Sequence, residues 1–475
     1  MKRALAFLLA VFCLLTMVAC PAPTPDSGTT TTTTTTTTSS TSGNGGGQPT
    51  APLTLTSNRG YFLVGDEISL SAGGTEGATV LFTAPDGSVS DEEAAGVSYT
   101  ATAAAAGVHT FTVSDGTRVA SCTVTVFPNE RVTVPSTNEL VRLLGRTETN
   151  TSGAVLLNNT ASGFEVTFFG KSLSVVMSNA AGKSDTAKFA VYMDDEGNPA
   201  EDIIDLRTAG VEVEGGREIT LCTFDEAGVH TVRLQKITQE SLASAIFTSV
   251  IVEGGLLETE ADEALRLLVY GDSITCGHSN MRPDGGADTM NSTNENGMLT
   301  YAMRVASLLN ADAHVFSKSG LGLYTNPYSS KVFLKDIYGK VSPASNTDWD
   351  MTSWVPDVVV INIGTNDIWT TQSVNGNPSY TQDAYVDAYV DMVLAMVEVW
   401  GDQVSFFLCT SMMAANLDAS VQAVYEELVV EHGIAAYYVD LPMASPASKH
   451  PDNATHAAAA AVLYNAILEN VWIEG

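Results

Sequence analysis

The stretch LRLLVYGDSIT, residues 265–275, places an apolar run of strand length directly before Gly271, Asp272 and Ser273. Such a run predicts a buried strand, and a serine at its end lies on the exposed edge of a sheet, where it can act as a nucleophile. Gly-Asp-Ser alone is common, however, and a turn with a serine helix cap explains it equally well. The choice between these interpretations depends on the rest of the chain.

Further motifs follow in order, each after or near another apolar run: Ser319-Gly320, Gly364-Thr365-Asn366-Asp367 and His450-Pro451. From about residue 260 strands alternate with helices. Strands are predicted at 265–270, 313–317, 357–363, 404–409 and 434–439, and helices near 298–309, 382–400 and 418–432. This alternation predicts an α/β domain over 260–475, with a parallel sheet covered by helices on both faces. Active sites gather at the carboxyl ends of such strands, where Ser273, Gly320 and Asn366 fall.

Length and charge bound the possibilities. A chain of 475 residues with 44% hydrophobic residues predicts about three folded domains. The net charge of −32 makes nucleic acid an unsuitable partner, because like charges repel. An acidic surface keeps a protein soluble and is compatible with a neutral polysaccharide partner without requiring one.

The cysteines give no pattern of a metal site. No C-x-x-C or H-E-x-x-H motif occurs, so we predict no structural zinc and no metalloenzyme. Cys122 and Cys222 lack a partner within their own modules and are predicted to be small buried residues.

The amino terminus predicts export. Lys2 and Arg3 precede an apolar stretch, and Met17-Val18-Ala19-Cys20 closes it, as in a secretory signal that ends in a lipobox. We therefore predict a signal peptide over 1–19, lipidation at Cys20 and an exported bacterial lipoprotein of the cell envelope or surface. The membrane is then a partner only through this anchor. Plain secretion or a retained membrane anchor is the alternative, although the apolar run is shorter than the ~20 residues of a spanning helix.

Three segments follow Cys20. Residues 20–51 are rich in Thr, Ser and Gly, with ten consecutive threonines from Thr29 to Thr38, and predict a disordered tether. Residues 52–128 show short period-2 runs between turns, which predict a β-sandwich of immunoglobulin-like size that serves as a spacer or weak binding module. Residues 133–254 continue in strands and predict a second β-sandwich.

The ordered motifs resemble the SGNH (GDSL-type) hydrolases and, within them, carbohydrate esterase family 2. The matching text is GDSITCGH at 271–278, ENGMLTY at 295–301, SKSGLGLY at 317–324, WVPDVVVINIGTND at 354–367 and HPDNATH at 450–456. The resemblance covers most of residues 133–475. It implies that 133–254 is a jelly-roll domain ahead of an SGNH hydrolase domain.

The resemblance also implies roles for single residues. Ser273 would be the nucleophile and His450 its general base. The backbone amides of Ser273 and Gly320, with the side-chain amide of Asn366, would form the oxyanion hole. The reaction would need neither a metal nor another cofactor. Each residue also has a structural alternative: a turn glycine, a strand-end turn or a loop histidine.

One position departs from the family pattern. An aspartate is expected two or three residues before the histidine, but Ser448 and Ala447 stand there. We therefore expect a Ser-His dyad in which a main-chain carbonyl orients the imidazole. Asp440 or Asp452 could replace the missing acid.

His278, Trp369 and Tyr301 are weaker candidates for substrate contacts: His278 as a pocket residue, the other two as an aromatic wall for a sugar ring. The sequence predicts a carbohydrate acetylesterase that removes O-acetyl groups from plant hemicellulose, such as xylan or glucomannan, by serine acyl transfer. The alternatives are an SGNH lipase or aryl esterase, and an inactive carbohydrate-binding surface protein.

Overall fold

The computed structural model describes residues 37–38, 51–75, 80–88, 98–259, 265–446 and 448–471. The chain divides into two compact units after Val126, close to the domain boundary predicted near residue 128. The signal peptide predicted over 1–19, the lipidation site Cys20 and most of the tether predicted over 20–51 lie outside the described residues. Among the helices that are described, none has the length and hydropathy needed to cross a membrane.

The described part of the first unit consists of β-strands. They are β1 (Thr37–Thr38), β2 (Thr54–Ser57), β3 (Tyr61–Leu63), β4 (Glu67–Gly73), β5 (Leu81–Thr83), β6 (Ser98–Thr102), β7 (Gly107–Ser114) and β8 (Arg118–Phe127). One sheet has the order β1-β8-β7-β5 with β3 also beside β8, and the other has the order β2-β4-β6. Alternate side chains of β8 are buried, and Leu55, Phe62, Phe82 and Val124 belong to one core between the sheets.

The second unit begins with a ten-stranded sheet, in which every pair is antiparallel. Its strands are β9 (Arg131–Pro135), β10 (Arg142–Leu144), β11 (Glu148–Thr149), β12 (Val155–Leu157), β13 (Gly163–Asn179), β14 (Lys188–Met193), β15 (Ile203–Asp205), β16 (Val211–Val213), β17 (Gly216–Lys236) and β18 (Ala245–Leu257). The long strands β13, β17 and β18 form its centre. Phe164, Phe168 and Phe247 are fully buried in its core.

A parallel sheet follows. Its strands are β19 (Arg266–Gly271), β20 (Asp312–Ser317), β21 (Val358–Asn362), β22 (Ser405–Cys409) and β23 (Ala436–Val439). They lie in the order β20-β19-β21-β22-β23, and all are parallel. Strands buried on both faces need continuous apolar runs, which is why the sequence predicted their bounds to within two residues. The predicted parallel-sheet α/β domain is confirmed.

The helices flank the parallel sheet. They are α1 (Ser273–Cys276), α2 (Tyr301–Leu308), α3 (Leu334–Ile337), α4 (Thr365–Ile368), α5 (Gln382–Trp400), α6 (Asp418–Val430) and α7 (Asn453–Asn470), with 3₁₀ turns at Gly297–Leu299 and Ala415–Leu417. The Asp452 side chain caps α7 by accepting a hydrogen bond from Thr455 N–H at 2.8 Å. Asp418 is the first residue of α6, and Leu417 occupies the cap position.

Buried polar contacts join the antiparallel and parallel sheets within the second unit. Arg146, which follows β10, is 3% exposed. Its guanidinium donates to the carbonyl oxygens of Tyr338 and Lys340 at 2.6 and 2.9 Å and to the Tyr270 hydroxyl at 2.8 Å. A buried guanidinium that lost these acceptors would be costly, so the contact stabilises both parts of the chain.

The parallel sheet determines where a site can form. Strand order reverses at β19, so the loops after β19 and its neighbours diverge to opposite faces and leave a crevice at the carboxyl edge. Ser273 follows β19, Gly320 follows β20 and Asn366 follows β21. Residues that are far apart in the sequence therefore meet at this edge.

Candidate active site

Ser273 is the first residue of α1, directly after β19. The Asp272 carboxylate caps this short helix by accepting a hydrogen bond from Ile274 N–H at 2.9 Å. At Gly271 a Cβ would lie 2.0 Å from Thr275 Oγ1, so a side chain would not fit where the strand turns into the helix. The tight turn leaves Ser273 8% exposed, with its side chain at the wall of a cavity.

His450 is positioned to deprotonate Ser273. Its Nε2 lies 2.8 Å from Ser273 Oγ. Burial lowers the pKa of His450 below its ordinary 6.5, and the hydrogen bond with the Asp288 carboxylate opposes part of this effect. The imidazole is therefore neutral at neutral pH and can accept the serine proton.

Asp288 contacts Nδ1 of the His450 ring, the nitrogen that does not face Ser273. Its Oδ2 accepts hydrogen bonds from His450 Nδ1–H and from the His450 backbone N–H, both at 2.9 Å. Burial acts to raise the pKa of Asp288, but the hydrogen bonds from His450 outweigh it and lower the pKa to about 2. The carboxylate is therefore ionised when His450 takes up a proton, and it stabilises the imidazolium.

This contact corrects the expected Ser-His dyad, because the acid that the sequence lacked before His450 is supplied by the loop after α1. Neither substitute considered from the sequence takes this role: Asp452 caps α7, and Asp440 accepts a hydrogen bond from the Thr410 hydroxyl at 3.3 Å. Asp288 stands in an irregular stretch, RPDGGADTM, with no motif around it. Only the tertiary packing of two loops brings it to His450.

His278 packs against His450. The two rings are stacked, with centroids 4.0 Å apart and planes at 21°. His278 Nε2 lies 3.5 Å from Asp288 Oδ1, the carboxylate oxygen that His450 does not use. Burial and the neighbouring His450 lower the pKa of His278 to about 4, so it is neutral and adds no charge to the site.

His278, Asp288 and His450 each offer one ligand atom, and these atoms lie within 4.8 Å of one another. Two nitrogens and a carboxylate oxygen suit a divalent metal such as zinc. The hydrogen bond that Asp288 accepts from His450 already joins two of these groups. The donor set therefore also serves a reaction that needs no metal.

Gly320 and Asn366 stand on the same cavity. Gly320 adopts φ +79°, a left-handed conformation that favours glycine. Asn366 Nδ2 donates to Leu321 O at 2.9 Å and to Asp272 Oδ2 at 3.3 Å. Both partners are acceptors, so the amide nitrogen is on the side that an oxyanion donor requires. An oxyanion would replace or share the longer contact, the one to Asp272.

Asp367, the next residue, fixes the loop that carries Gly320. Its buried carboxylate accepts hydrogen bonds from the backbone N–H groups of Leu323, Tyr324 and Thr325 at 2.7 to 3.0 Å. Burial raises the pKa of Asp367 to about 6 against these donors. For Asp367 the sequence offered only a strand-end turn, whereas the structure shows that its carboxylate joins the ends of β20 and β21.

The cavity has a volume of about 370 Å³. It is lined by Ser241, Ser273, His278, Met290, Lys318, Ser319, Gly320, Leu321, Tyr328, Ser330, Val332, Asn366, Trp369 and His450. Six of the predicted site residues therefore meet here: Ser273, His278, Gly320, Asn366, Trp369 and His450. Trp369 and Tyr328 are 42% and 51% exposed, so the cavity has an open aromatic wall.

The prediction that Tyr301 is a second aromatic contact for the substrate is wrong. Tyr301 is fully buried at the start of α2, and its hydroxyl lies 2.8 Å from Thr275 Oγ1. Tyr328 occupies the wall instead. The sequence placed tyrosines near the site but could not show which of them faces the cavity.

A serine, a histidine and an aspartate are joined by hydrogen bonds at the carboxyl edge of a parallel sheet, beside Gly320 and Asn366. This arrangement is typical of serine hydrolases of the SGNH (GDSL-type) class. Comparisons with known families agree. The family described as "Carbohydrate esterase 2 N-terminal" matches residues 143–259, and "GDSL-like Lipase/Acylhydrolase" matches residues 267–444. Over these two segments the chain is similar to carbohydrate esterase family 2 and to the GDSL-type hydrolases.

Individual proteins support this placement. The chain is 29% identical over 243 residues to "Cellulase/esterase CelE" of Acetivibrio thermocellus, across 48% of this chain and 28% of that protein. It is 27% identical over 221 residues to an "Acetylxylan esterase / glucomannan deacetylase" of Cellvibrio japonicus, across 45% of this chain and 60% of that protein. The matches thus span less than two thirds of either relative.

Solved structures cover more of the fold. A family two carbohydrate esterase from Clostridium thermocellum, in complex with cellohexaose, superimposes with a TM-score of 0.60 at 25% identity, over 69% of this chain and 98% of that one. A family 2 enzyme with a carbohydrate-binding domain from Corynascus thermopiles gives 0.57 at 27% identity, over 70% and 100%.

Proposed function

We propose that this protein is a serine carbohydrate esterase that removes O-acetyl groups from plant polysaccharides such as xylan or glucomannan. The observation that carries the proposal is the hydrogen-bonded series from Ser273 Oγ through His450 to Asp288, open to a cavity that Gly320 and Asn366 also line. The substrate class is supported by the relatives, whose names include acetylxylan esterase and glucomannan deacetylase.

In the acylation step, Ser273 Oγ attacks the acetyl carbonyl carbon while its proton passes to His450 Nε2. The carbonyl oxygen becomes negative and accepts hydrogen bonds from the amides of Ser273, Gly320 and Asn366. The bond between the carbonyl carbon and the sugar oxygen then breaks, and His450 returns the proton to the leaving hydroxyl. Water repeats the sequence, which releases acetate and restores Ser273.

Each oxyanion donor contributes a factor of roughly 10² to 10³ in rate, because it stabilises charge that develops only in the transition state. The nearby Asp288 carboxylate compensates the positive charge on His450 at the same moment. The buried Asp272 carboxyl lies beside Asn366, and burial raises its pKa to about 7. A partly neutral Asp272 competes less with the oxyanion for the Asn366 amide.

The aromatic wall suits a sugar. Trp369 and Tyr328 expose much of their surface at the cavity, and flat apolar faces bury well against the faces of a pyranose ring. His278 stacks on the ring of His450, so it acts on the catalytic imidazole more directly than on the substrate.

The experiment that tests the function is acetate release from acetylated xylan and acetylated glucomannan, compared between the wild type and Ser273→Ala. Release that disappears in the variant supports a sugar deacetylase. Activity confined to a long-chain ester would assign the site to an SGNH lipase or aryl esterase. Binding of polysaccharide with no serine-dependent hydrolysis would favour an inactive carbohydrate-binding protein.

We further propose that residues 52–128 form an immunoglobulin-like spacer, that 133–254 form a jelly-roll and that Cys20 carries a lipid anchor at the cell envelope or surface. The support is the strand pattern and the sequence MVAC at 17–20. The charge of −32 supports the absence of a nucleic-acid partner. Labelling of cells with radioactive palmitate tests the anchor, since Cys20→Ser should then remain unlabelled.

A further inference from the structure

The loop between β17 and β18 of the antiparallel sheet reaches the active site. Ser241 lines the cavity together with Lys318 and Ser319, which immediately precede Gly320. The 3₁₀ turn of the hydrolase domain approaches the same loop closely, since Gly297 N–H donates to Ile237 O at 2.7 Å. The antiparallel sheet therefore contacts the segment that carries a predicted oxyanion donor.

Gln239 provides the most specific of these contacts. Its Oε1 accepts a hydrogen bond from Ser319 N–H at 3.3 Å. Its backbone N–H donates to Glu295 Oε1 at 2.5 Å, and its side-chain Nε2 donates to Glu295 Oε2. Gln239 and Glu295 are 0% and 2% exposed. Burial raises the pKa of Glu295 to about 7, against the hydrogen bonds from Gln239. In the ionised form both carboxylate oxygens only accept, so the Gln239 amide then turns its oxygen toward Ser319.

The neighbouring residues give the loop a second tie to the same segment. Lys318 Nζ donates to Glu240 Oε2 at 3.2 Å, and Lys183 Nζ pairs with the other oxygen of Glu240 at 2.5 Å. This ion pair holds a flexible side chain, however, whereas the hydrogen bond at Ser319 holds the backbone itself. The peptide of Ser319 adjoins the peptide that presents Gly320 N–H.

We propose that Gln239, oriented by Glu295, is a positioning residue that sets the direction of the Gly320 N–H toward the developing oxyanion. The inference rests on the proposed function, because it takes Gly320 as an oxyanion donor. Such a donor acts in the transition state, and its misorientation lowers kcat more than it changes KM.

The decisive variant is Glu295→Gln, which keeps the side-chain volume at a residue whose described hydrogen bonds go to Gln239. In this variant the side-chain oxygen at position 295 still accepts from the Gln239 backbone N–H. The new NH₂ group at position 295 donates, so it requires the oxygen of the Gln239 side chain as its partner. The Gln239 amide then turns, and its nitrogen faces Ser319 N–H, two donors against each other. Removing an oxyanion donor costs roughly 10² to 10³ in rate; for a misdirected one we expect a loss of about tenfold in kcat.

The double variant Gln239→Glu with Glu295→Gln restores every hydrogen bond. The carboxylate at position 239 accepts from Ser319 N–H and from the amide at position 295, while the amide oxygen at position 295 accepts from the backbone N–H of position 239. We expect this exchange to recover kcat to within about twofold of the wild type. Lys183→Met is the matched control, because it removes an ion pair with Glu240 but leaves Gln239 and Ser319 in place.

The assay uses two probes on the whole chain. Hydrolysis of 4-nitrophenyl acetate gives kcat and KM, and diethyl 4-nitrophenyl phosphate phosphorylates Ser273 by forming the Oγ–P bond and releasing 4-nitrophenolate. The second reaction also counts the active sites, so a variant that is partly unfolded does not pass for one with a slower site. We expect Glu295→Gln to slow both reactions about tenfold per titrated site, with KM within about twofold.

Wild-type rates per site in Glu295→Gln, or a double variant as slow as Glu295→Gln, would overturn the positioning role. So would an equal loss in Lys183→Met. These outcomes are distinguishable from failure of the proposed function. A wild type that reacts with both probes but releases no acetate from polysaccharides would overturn the sugar substrate and leave this test intact.

Discussion

Replacing Asp288 with asparagine tests the triad most directly. In serine hydrolase triads, this type of substitution costs about 10⁴ in kcat when the new amide nitrogen faces the imidazole and stabilises the wrong tautomer. Here the geometry prevents that. Asp288 Oδ2 accepts from both the backbone N–H and the Nδ1–H of His450, each at 2.9 Å.

An asparagine satisfies both donors only with its oxygen at the Oδ2 position. Its nitrogen then replaces Oδ1, which lies 3.5 Å from His278 Nε2, an atom that can accept a hydrogen bond in the neutral ring. The tautomer of His450 is therefore kept, and only the negative charge is lost. We expect kcat to fall about 10²-fold, which corresponds to ~2.7 kcal/mol at 1.36 kcal/mol per factor of ten.

Asp288→Ala removes the oxygen as well as the charge, and we expect a loss at least about tenfold larger than for asparagine. The pH profile separates the two effects. The carboxylate raises the pKa of His450 against the lowering by burial and by Arg282. Without the carboxylate this pKa falls further. Because the neutral base is the active form, the acid limb of kcat/KM moves to lower pH in Asp288→Asn.

The assay is hydrolysis of 4-nitrophenyl acetate and of acetylated xylan between pH 4.5 and 8, with sites counted by titration of Ser273. Asp452→Asn is the control, because asparagine caps a helix as well as aspartate does and the kcat should not change. A kcat of Asp288→Ala within threefold of the wild type would favour the Ser-His dyad over the triad. An asparagine variant as slow as the alanine variant would refute the tautomer argument.

Two further predictions concern substrate and stability. Trp369→Ala should raise KM for acetylated polysaccharide several-fold and leave KM for 4-nitrophenyl acetate unchanged. Tyr301→Phe should lower the free energy of unfolding by about 1 kcal/mol without changing either KM. The reverse pattern would return Tyr301 to the substrate site. His314 is buried against Trp354, and burial, with Arg146, Arg142 and Arg266, lowers its pKa to about 3. Its contribution to stability is therefore present above pH ~6.5 and is lost as the pH falls toward the folded pKa, with a slope of up to ~1.4 kcal/mol per pH unit. His314→Phe should make this acid loss shallower in urea unfolding followed by tryptophan fluorescence, and an unchanged slope would contradict the assignment.

The sequence predicted the parallel sheet well because its strands are buried on both faces. Runs such as LRLLVYG at 265–271 and VVVIN at 358–362 leave little choice of structure. Once these strands are parallel, the residues after them share one edge of the sheet, so the convergence of Ser273, Gly320 and Asn366 follows from order along the chain.

The acid could not be predicted in this way. Asp288 lies in a loop with no periodicity, and its contact with His450 depends on how two loops fold against each other. The prediction for Tyr301 failed for a related reason. A helix that begins near a motif does not show which of its side chains face the cavity and which face the core. Gln239 gave no signal in the sequence, because it lies in a loop of the antiparallel sheet, outside the segment that carries the hydrolase motifs.

The loop that follows α1 links these unpredicted features. It carries His278, which stacks on His450, Asp288, which orients it, and Met290 in the cavity wall, and it ends at Glu295, which holds Gln239. One segment thus contacts His450 on one side and, on the other, Gln239, which accepts a hydrogen bond from Ser319. Because Gln239 lies in a loop of the antiparallel sheet, we expect a hydrolase domain separated from residues 131–257 to keep Ser273 but to lose the contact that supports the proposed oxyanion loop.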